Sequence, residues 1–149
     1  ILRSCLVLRW PCRACSCAHF VRRDCLLYDR LVPFLSNIAF AAQEVGYAIS
    51  FEAAAQRYAP FLSSISQVRA RLLVSAAADA AIGALGAREV NEGANLVIIE
   101  AKSPGELLFR EQVDSIWLAS PIQVYLDLLR GEGRAKEMAE HLRKERIGF

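Results

Sequence analysis

The sequence has 149 residues, of which 54% are hydrophobic and 23% are charged, a composition typical of one compact globular domain rather than of a disordered chain. Its net charge of +2 argues against a uniformly basic nucleic-acid-binding domain. The sequence also lacks the run of about 18 apolar residues that predicts a transmembrane helix, so we expect a soluble protein with no membrane partner.

Charge and cysteine are unevenly distributed along the chain. Residues 1–30 contain six arginines against two aspartates, whereas residues 31–149 contain 12 basic and 14 acidic side chains. All five cysteines lie in the first segment, so the body is not held by disulfides and fits a reducing, cytoplasmic compartment. The chain starts at Ile1 and its one methionine is Met138, which leads us to expect a fragment, a processed product or an unusual start. We treat residues 1–30 as an unassigned leader, either poorly ordered or foreign to the domain, and residues 31–149 as the domain.

Four side chains of the leader have the chemistry of zinc ligands. Cys12, Cys15, Cys17 and His19 offer three thiolates and an imidazole within eight residues. Structural zinc sites usually join two separated pairs of ligands, and here Cys25 stands alone with no second pair behind it. We therefore assign no metal and no cofactor to the chain, and we keep these four residues as a candidate zinc site.

The body begins with two predicted helices. Apolar residues recur at spacings of three and four between Leu31 and Ala42, which predicts an amphipathic helix that ends near Gly46. Ser50 then has the position of an N-cap residue before a second helix, which Pro60 ends.

Two strands and a third helix follow. Polar and apolar residues alternate over Val68–Leu72, which predicts a half-exposed strand with Arg69 and Arg71 on its outer face. The alanine-rich residues 76–85 favour a helix. Asn95–Glu100 includes four consecutive apolar residues, three of them β-branched, which indicates a central buried strand.

The last third is predicted to contain a hairpin and two helices. The hairpin is expected between residues 107–110 and 113–119. Ser120 as N-cap and Pro121 at the first helical position start a helix that runs to about Arg130. One side of that helix carries Ile122, Tyr125, Leu126 and Leu129. A final helix over residues 134–147 places Ala135, Met138, Ala139 and Leu142 inward.

Strands that alternate with helices predict an α/β domain. We expect a mixed β-sheet with flanking helices, closed by the two C-terminal helices.

The C-terminal segments resemble a known family. Residues 117–129 (WLASPIQVYLDLL) and 133–142 (GRAKEMAEHL) resemble the closing segment of AbiEi-family antitoxins of bacterial type IV toxin–antitoxin systems. Members typically have a strand that ends in Ala-Ser-Pro, then a Gln-x-Tyr-Leu-Asp-Leu helix and a Gly-Arg-x-x-Glu-x-Ala-Glu-x-Leu helix. Residues 46–54 (GYAISFEAA), 58–60 (YAP) and 92–95 (EGAN) are also similar. The resemblance covers residues 44–149 in order and does not extend to residues 1–30.

The resemblance implies a non-enzymatic antitoxin and transcriptional-regulator domain. In the family, an N-terminal winged helix binds operator DNA, a C-terminal domain supports antitoxin activity, and the paired toxin resembles a nucleotidyltransferase. No winged-helix recognition helix precedes residue 44, so operator DNA would be reached through a missing or separate winged helix. We also expect that the domain can form a homodimer.

Six cations are candidates for contacts with DNA phosphates, and such contacts weaken with salt because binding releases counterions. They are Arg69, Arg71, Arg134, Lys136, Arg143 and Lys144. Glu137 and Glu140 lie among the cations of the last helix, which is also the pattern of a solvated helix face. We therefore expect only weak binding to duplex DNA at physiological salt.

An alternative of another class is a magnesium-dependent nuclease. Glu100 and Lys102 follow a buried strand with the Glu-x-Lys spacing of restriction-endonuclease-like enzymes, in which the carboxylate holds magnesium. Such a site needs a further acid from a neighbouring strand. Asp79 falls on the alanine-rich helix, and Glu89 is the other acid considered for this role.

Overall fold

A computed structural model describes residues 5–9, 46–61, 65, 67–73, 75, 79–80 and 88–149, with residues 5–9 and Arg88 described through their backbone alone. The cluster Cys12, Cys15, Cys17 and His19 and the predicted helix that starts at Leu31 lie outside these residues, as does most of the alanine-rich helix.

Seven strands and three α-helices are present among the described residues. The strands are β1 (Cys5–Arg9), β2 (Tyr47–Ser50), β3 (Val68–Leu73), β4 (Arg88–Glu89), β5 (Leu96–Ala101), β6 (Glu111–Val113) and β7 (Ile116–Leu118). The helices are α1 (Phe51–Tyr58), α2 (Pro121–Leu129) and α3 (Ala135–Leu142), with a 3-10 turn at Pro104–Leu107 and a π-helical turn at Arg143–Ile147. The second predicted helix, both predicted strands and the two C-terminal helices are thereby confirmed.

The strands form one mixed sheet in the order β4-β1-β5-β3-β2-β7-β6. β3 runs parallel to β5 and β2 runs parallel to β7, whereas the other neighbours are antiparallel. The predicted α/β class with a mixed sheet is confirmed. Because β3 and β5 are parallel and Leu73 pairs with Ala101, both strands end at the same edge of the sheet.

The N-terminal leader contributes one strand, β1, to this sheet. β1 is antiparallel to β5 on one side, with Leu6 opposite Ile98, and to β4 on the other side. The physical reason is the short apolar run of residues 5–8, which suits a strand paired on both edges.

The three helices pack on one another, and α1 and α2 also contact β2 and β3. The inward face predicted for α3 is confirmed, because Ala135, Met138, Ala139 and Leu142 are all buried. Their neighbours in the core include Ala54 of α1 and Val124 and Leu128 of α2. This helical layer fixes α2 above the end of β2, where the buried polar residues lie.

The buried side of α2 differs from the one that its apolar residues suggest. Val124, Asp127 and Leu128 are buried, whereas Ile122, Leu126 and Leu129 are exposed. The helix is apolar on both sides, so periodicity alone could not select the buried one. Contacts between Asp127 and the sheet decide its orientation.

The hairpin is present but shorter than predicted. It joins β6 to β7 through Asp114 and Ser115, whose φ angles of 50° and 66° are those of a type I′ turn. Leu107, which was expected in the first strand, belongs to the 3-10 turn that starts at Pro104. The turn at Asp114 and Ser115 was not predicted, because it has none of the glycines that usually mark such a turn.

Gly131, which links α2 to α3, has no room for a side chain. A Cβ atom there would lie 2.6 Å from the Cβ of Ala135 and 3.1 Å from the carbonyl oxygen of Leu128. We expect Gly131→Ala to lower the free energy of unfolding by about 1–3 kcal/mol, because α3 would have to shift. Gly105→Ala is the matched control, since its Cβ would meet only Ser103 Oγ at an ordinary 3.4 Å. Urea unfolding measures both, and equal stability of the two variants would contradict the prediction.

Candidate functional site

The polar residues of the site are assembled at the junction of β2 and α1. β2 ends at Ser50 and α1 begins at Phe51 with no loop between them. Phe51 has a φ of 55°, which is strained for an aromatic residue. Arg69 of β3 pairs with Ser50 of β2 in the sheet. Its guanidinium lies 4.4 Å from the centre of the Phe51 ring. This cation–π contact helps to hold the sharp turn.

Ser50 has the predicted N-cap position but makes a different hydrogen bond. Its side chain accepts nothing from α1 and instead donates its Oγ–H to Oδ2 of Asp127 on α2. Ser50 is fully buried. Its hydroxyl therefore joins two elements that are 77 residues apart rather than stabilising its own helix.

Asp127 is the centre of the site, and we call Ser50, Arg71, Gln123 and Asp127 the Asp127 cluster. Oδ1 of Asp127 accepts hydrogen bonds from Arg71 Nη2 and Gln123 Nε2, each at 2.8 Å. Gln123 and Asp127 are four residues apart on α2, so both side chains lie on the same side of the helix. The carboxylate of Asp127, only 2% exposed, is bound by three side chains from three elements.

Arg71 lies under α2 rather than on an open face of the sheet, which corrects the predicted outer position of this residue. Its side chain is 15% exposed and also lies 3.7 Å from Oε2 of Glu106. The buried Nε of Arg71 has no hydrogen-bond partner. The alternation of β3 was predicted correctly, but the helix that covers this face comes from residues far along the chain.

The electrostatics of the cluster are those of a buried ion pair. Removing two charges from water costs several kcal/mol per ion, and only close contacts with further hydrogen bonds offset that cost. Ser50 and Gln123 supply those additional bonds. The cluster therefore favours one placement of α2 over others that would leave Asp127 or Arg71 buried without a partner.

Two tyrosines join the same segments around the cluster. The hydroxyl of Tyr58 donates to the carbonyl oxygen of Ala119 at 2.9 Å, and that of Tyr47 accepts from the amide of Trp117 at 3.3 Å. Burial raises the pKa of both hydroxyls above 10.0, with Glu111 adding to the effect at Tyr58. Both groups thus remain protonated at neutral pH. They tie α1 to Ala119, directly after β7, and β2 to Trp117 of β7.

The candidate DNA-binding cations do not form one open surface. Arg134 pairs with Glu137 at 3.4 Å and Arg143 pairs with Glu140 at 2.9 Å. Arg71 is bound to Asp127 and Arg69 contacts Phe51, as described above. Lys136 and Lys144 are exposed, and no ion pair is found for them within the described part of the chain. Nearby acids thus neutralise much of the predicted positive charge, and contact with DNA stays a prediction.

Glu100 and Lys102 are both exposed at the edge where β3 and β5 end. The amide of Lys102 donates to Oε1 of Glu106 at 2.8 Å. Glu89 cannot join Glu100 at a metal ion. Glu89 and Leu96 both pair with Leu8 of β1, so they lie at the same level of the sheet. Glu100 is four residues further along β5 than Leu96, which is about 13 Å at about 3.3 Å per residue.

The other acid considered for the nuclease site is Asp79, which is exposed. Within the residues that the structure describes, no three His, Cys, Asp or Glu side chains are placed to hold a metal ion. The nuclease reading of Glu100 and Lys102 remains an untested alternative.

Sequence reasoning missed the Asp127 cluster as a unit. Arg71 was singled out for another role, and Ser50 was assigned to a cap. The signal that could have found the cluster is Gln123 with Asp127, two polar residues four apart on an otherwise apolar helix. Such a pair on a buried face needs partners, because a buried polar group without a hydrogen bond is costly.

No protein-family model matches this chain, and comparisons with curated proteins and with solved structures found no significant match. Among the described residues, no helix has the length and apolar character needed to cross a membrane.

Proposed function

We propose that this chain provides the C-terminal regulatory domain of an AbiEi-like antitoxin, acting without catalysis in a type IV toxin–antitoxin system. The observation that carries the proposal is the Asp127 cluster, which joins two of the segments that resemble the family. Ser50 belongs to residues 46–54, and Gln123 and Asp127 belong to residues 117–129. Two segments that are far apart in the sequence thus meet through residues of the motifs that resemble the family.

Another similar segment, residues 92–95, also makes contacts within the fold. The carbonyl oxygen of Ala94 accepts a hydrogen bond from Gln67 Nε2 at 3.2 Å, and that of Asn95 accepts one from the Val68 amide at 2.9 Å. These bonds set the start of β5 beside the start of β3. They support the idea that the resemblance reflects a shared fold rather than unrelated short matches.

The charge distribution supports a proposal in which a separate winged helix, and not this domain, binds operator DNA. The cations in and beside α3 are interspersed with acids, and the two flanking arginines are bound to glutamates. A surface of this kind neutralises few phosphates, so its affinity for duplex DNA is low. In our proposal the winged helix reads the operator, and this domain serves antitoxin activity against a nucleotidyltransferase-like toxin in the cytoplasm.

Co-expression in bacteria tests this function. The full chain is induced together with the nucleotidyltransferase-like toxin encoded beside it, and colony counts are compared with those for an empty vector. We expect the chain to restore growth, and we expect Asp114→Ala, at an exposed ion pair, to restore it equally. Failure of the full chain to rescue growth, when circular dichroism shows it folded, would overturn the proposal.

The exposure of Glu100 and Lys102 at one sheet edge keeps the nuclease as a second candidate. Purified chain is incubated with supercoiled plasmid and magnesium, and Lys102→Ala is compared with Lys136→Ala, an exposed lysine elsewhere. Cleavage that depends on magnesium and on Lys102 but not on Lys136 would favour the nuclease over the antitoxin. Absence of cleavage across a series of divalent metals would eliminate it.

A further inference from the structure

One segment between β5 and β6 is fixed at both ends but is itself hardly buried. We call residues 103–109 the strap. Before it, Ala101 at the end of β5 is fully buried. After it, Arg110 donates a hydrogen bond to the carbonyl oxygen of Tyr47 at 3.0 Å. Leu107 is the one buried residue of the strap, and the other six are exposed. A segment with so few buried contacts can open locally at a low cost in free energy.

Two side chains hold the strap against the sheet. Leu107 lies so close to Gly46 that a Cβ atom on this glycine would be 2.9 Å from its Cδ1. Glu106 makes two polar contacts. Its Oε1 accepts a hydrogen bond from the Lys102 amide at 2.8 Å, and its Oε2 lies 3.7 Å from Nη1 of Arg71. Because Arg71 belongs to the Asp127 cluster, Glu106 connects the strap to that cluster.

The far end of the strap carries two features that disfavour its closed position. Phe109 has a φ of 59°, a left-handed backbone conformation that is strained for an aromatic residue. Phe109 and Leu108 are 83% and 62% exposed, so burial of their side chains does not offset this strain. Backbone strain persists only where surrounding contacts hold it. Here those contacts are made by Glu106 and Leu107 before the strained residue and by Arg110 after it.

We propose that Glu106 is a latch. Its contact with Arg71 keeps the strap closed, and loss of this contact lets the strap open while the rest of the domain stays folded. Opening removes one buried side chain, that of Leu107, from the core. It also uncovers the guanidinium of Arg71, whose side chain is 15% exposed when the strap is closed. The strap thus controls the access of solvent to the Asp127 cluster. This device does not rest on the antitoxin proposal and would exist equally in a nuclease.

Amide hydrogen exchange in the full chain, followed by nuclear magnetic resonance, tests the latch. The readout is the amide of Leu108, which donates to the carbonyl oxygen of Gly105 at 3.2 Å within the strap. Glu106→Ala should raise its exchange rate by about fivefold, which corresponds to about 1 kcal/mol. Glu106→Gln keeps an acceptor for the Lys102 amide but loses the charge, so it should raise the rate by about twofold. Glu137→Ala, which removes an exposed ion pair on α3, is the matched control and should leave the rate unchanged.

Two further measurements separate a local opening from a general loss of stability. The amide of Val68, which bonds to Asn95 at 2.9 Å in the sheet, should keep its exchange rate in Glu106→Ala. Leu107→Ala removes the other anchor and leaves the charge of Glu106 in place, and it should increase the reaction of Arg71 with phenylglyoxal. The proposal is overturned if either Glu106 variant leaves the Leu108 amide unchanged or if Val68 exchanges faster by the same factor. It also fails if Leu107→Ala leaves Arg71 as protected as before.

Discussion

Asp127→Ala is expected to lower the free energy of unfolding by about 3–5 kcal/mol, the usual loss when one partner of a buried ion pair is removed. The substitution leaves the guanidinium of Arg71 under α2 without its hydrogen-bonded carboxylate. It also removes the acceptor of the buried hydroxyl of Ser50. Urea unfolding followed by circular dichroism measures the loss, and the slope of the transition shows whether unfolding is still two-state.

The control for this prediction is Asp114→Ala. Asp114 also pairs with an arginine, Arg57, at 2.5 Å, but its side chain is 67% exposed. An exposed pair contributes between about 0 and 1 kcal/mol, so this variant should be nearly as stable as the unmodified chain. The double variant Arg71→Met with Asp127→Leu should recover much of the stability, because it leaves no buried charge. Equal losses in Asp127→Ala and Asp114→Ala would show that the cluster has no special role.

Leu128→Ala is expected to lower the free energy of unfolding by about 2–5 kcal/mol, because it opens a cavity in the core. Leu128 is 0% exposed and belongs to the same hydrophobic core as Met138 of α3 and Ala54 of α1. The adjacent Leu129→Ala is the control, since Leu129 is 39% exposed and much of its side chain already contacts water. Urea unfolding measures both losses. If Leu129→Ala lost as much stability as Leu128→Ala, the orientation of α2 described above would be incorrect.

The elements with strong local signals were predictable from the sequence. Ser120 accepts a hydrogen bond from the Gln123 amide at 3.2 Å and Pro121 occupies the first helical position, as the pattern Ser-Pro predicts. β5 is buried as its β-branched run indicates. In these cases a few neighbouring residues contain all the information, because backbone capping and strand preference are local effects.

The orientation of α2 was not predictable in the same way. Apolar residues occur on both of its sides, and the choice between them depends on Arg71 and Ser50, which lie more than 50 residues away in the chain. β1 is a similar case, since its short apolar run becomes a strand only where β4 and β5 offer edges on both sides. Such pairings depend on the whole topology, and no hydrophobic periodicity within the segment itself predicts them.

The candidate site shows the same limit. Sequence reasoning found the cations of β3 and those in and beside α3, but the neighbours that neutralise or bury them belong partly to other elements, as Asp127 does for Arg71. It assigned Ser50 to a helix cap, whereas the structure directs its hydroxyl to a distant carboxylate. Charge counts along a chain cannot tell a free cation from a paired one.

The sequence by itself determined the class of fold, the positions of most helices and strands, and a body that is nearly neutral in charge despite the basic leader. The tertiary structure alone decided which side of α2 meets the sheet, which cations remain exposed, and that a piece of the leader joins the sheet. The reason is physical. Local preferences act over a few residues, whereas burial, ion pairing and strand pairing depend on groups that come together only when the chain folds.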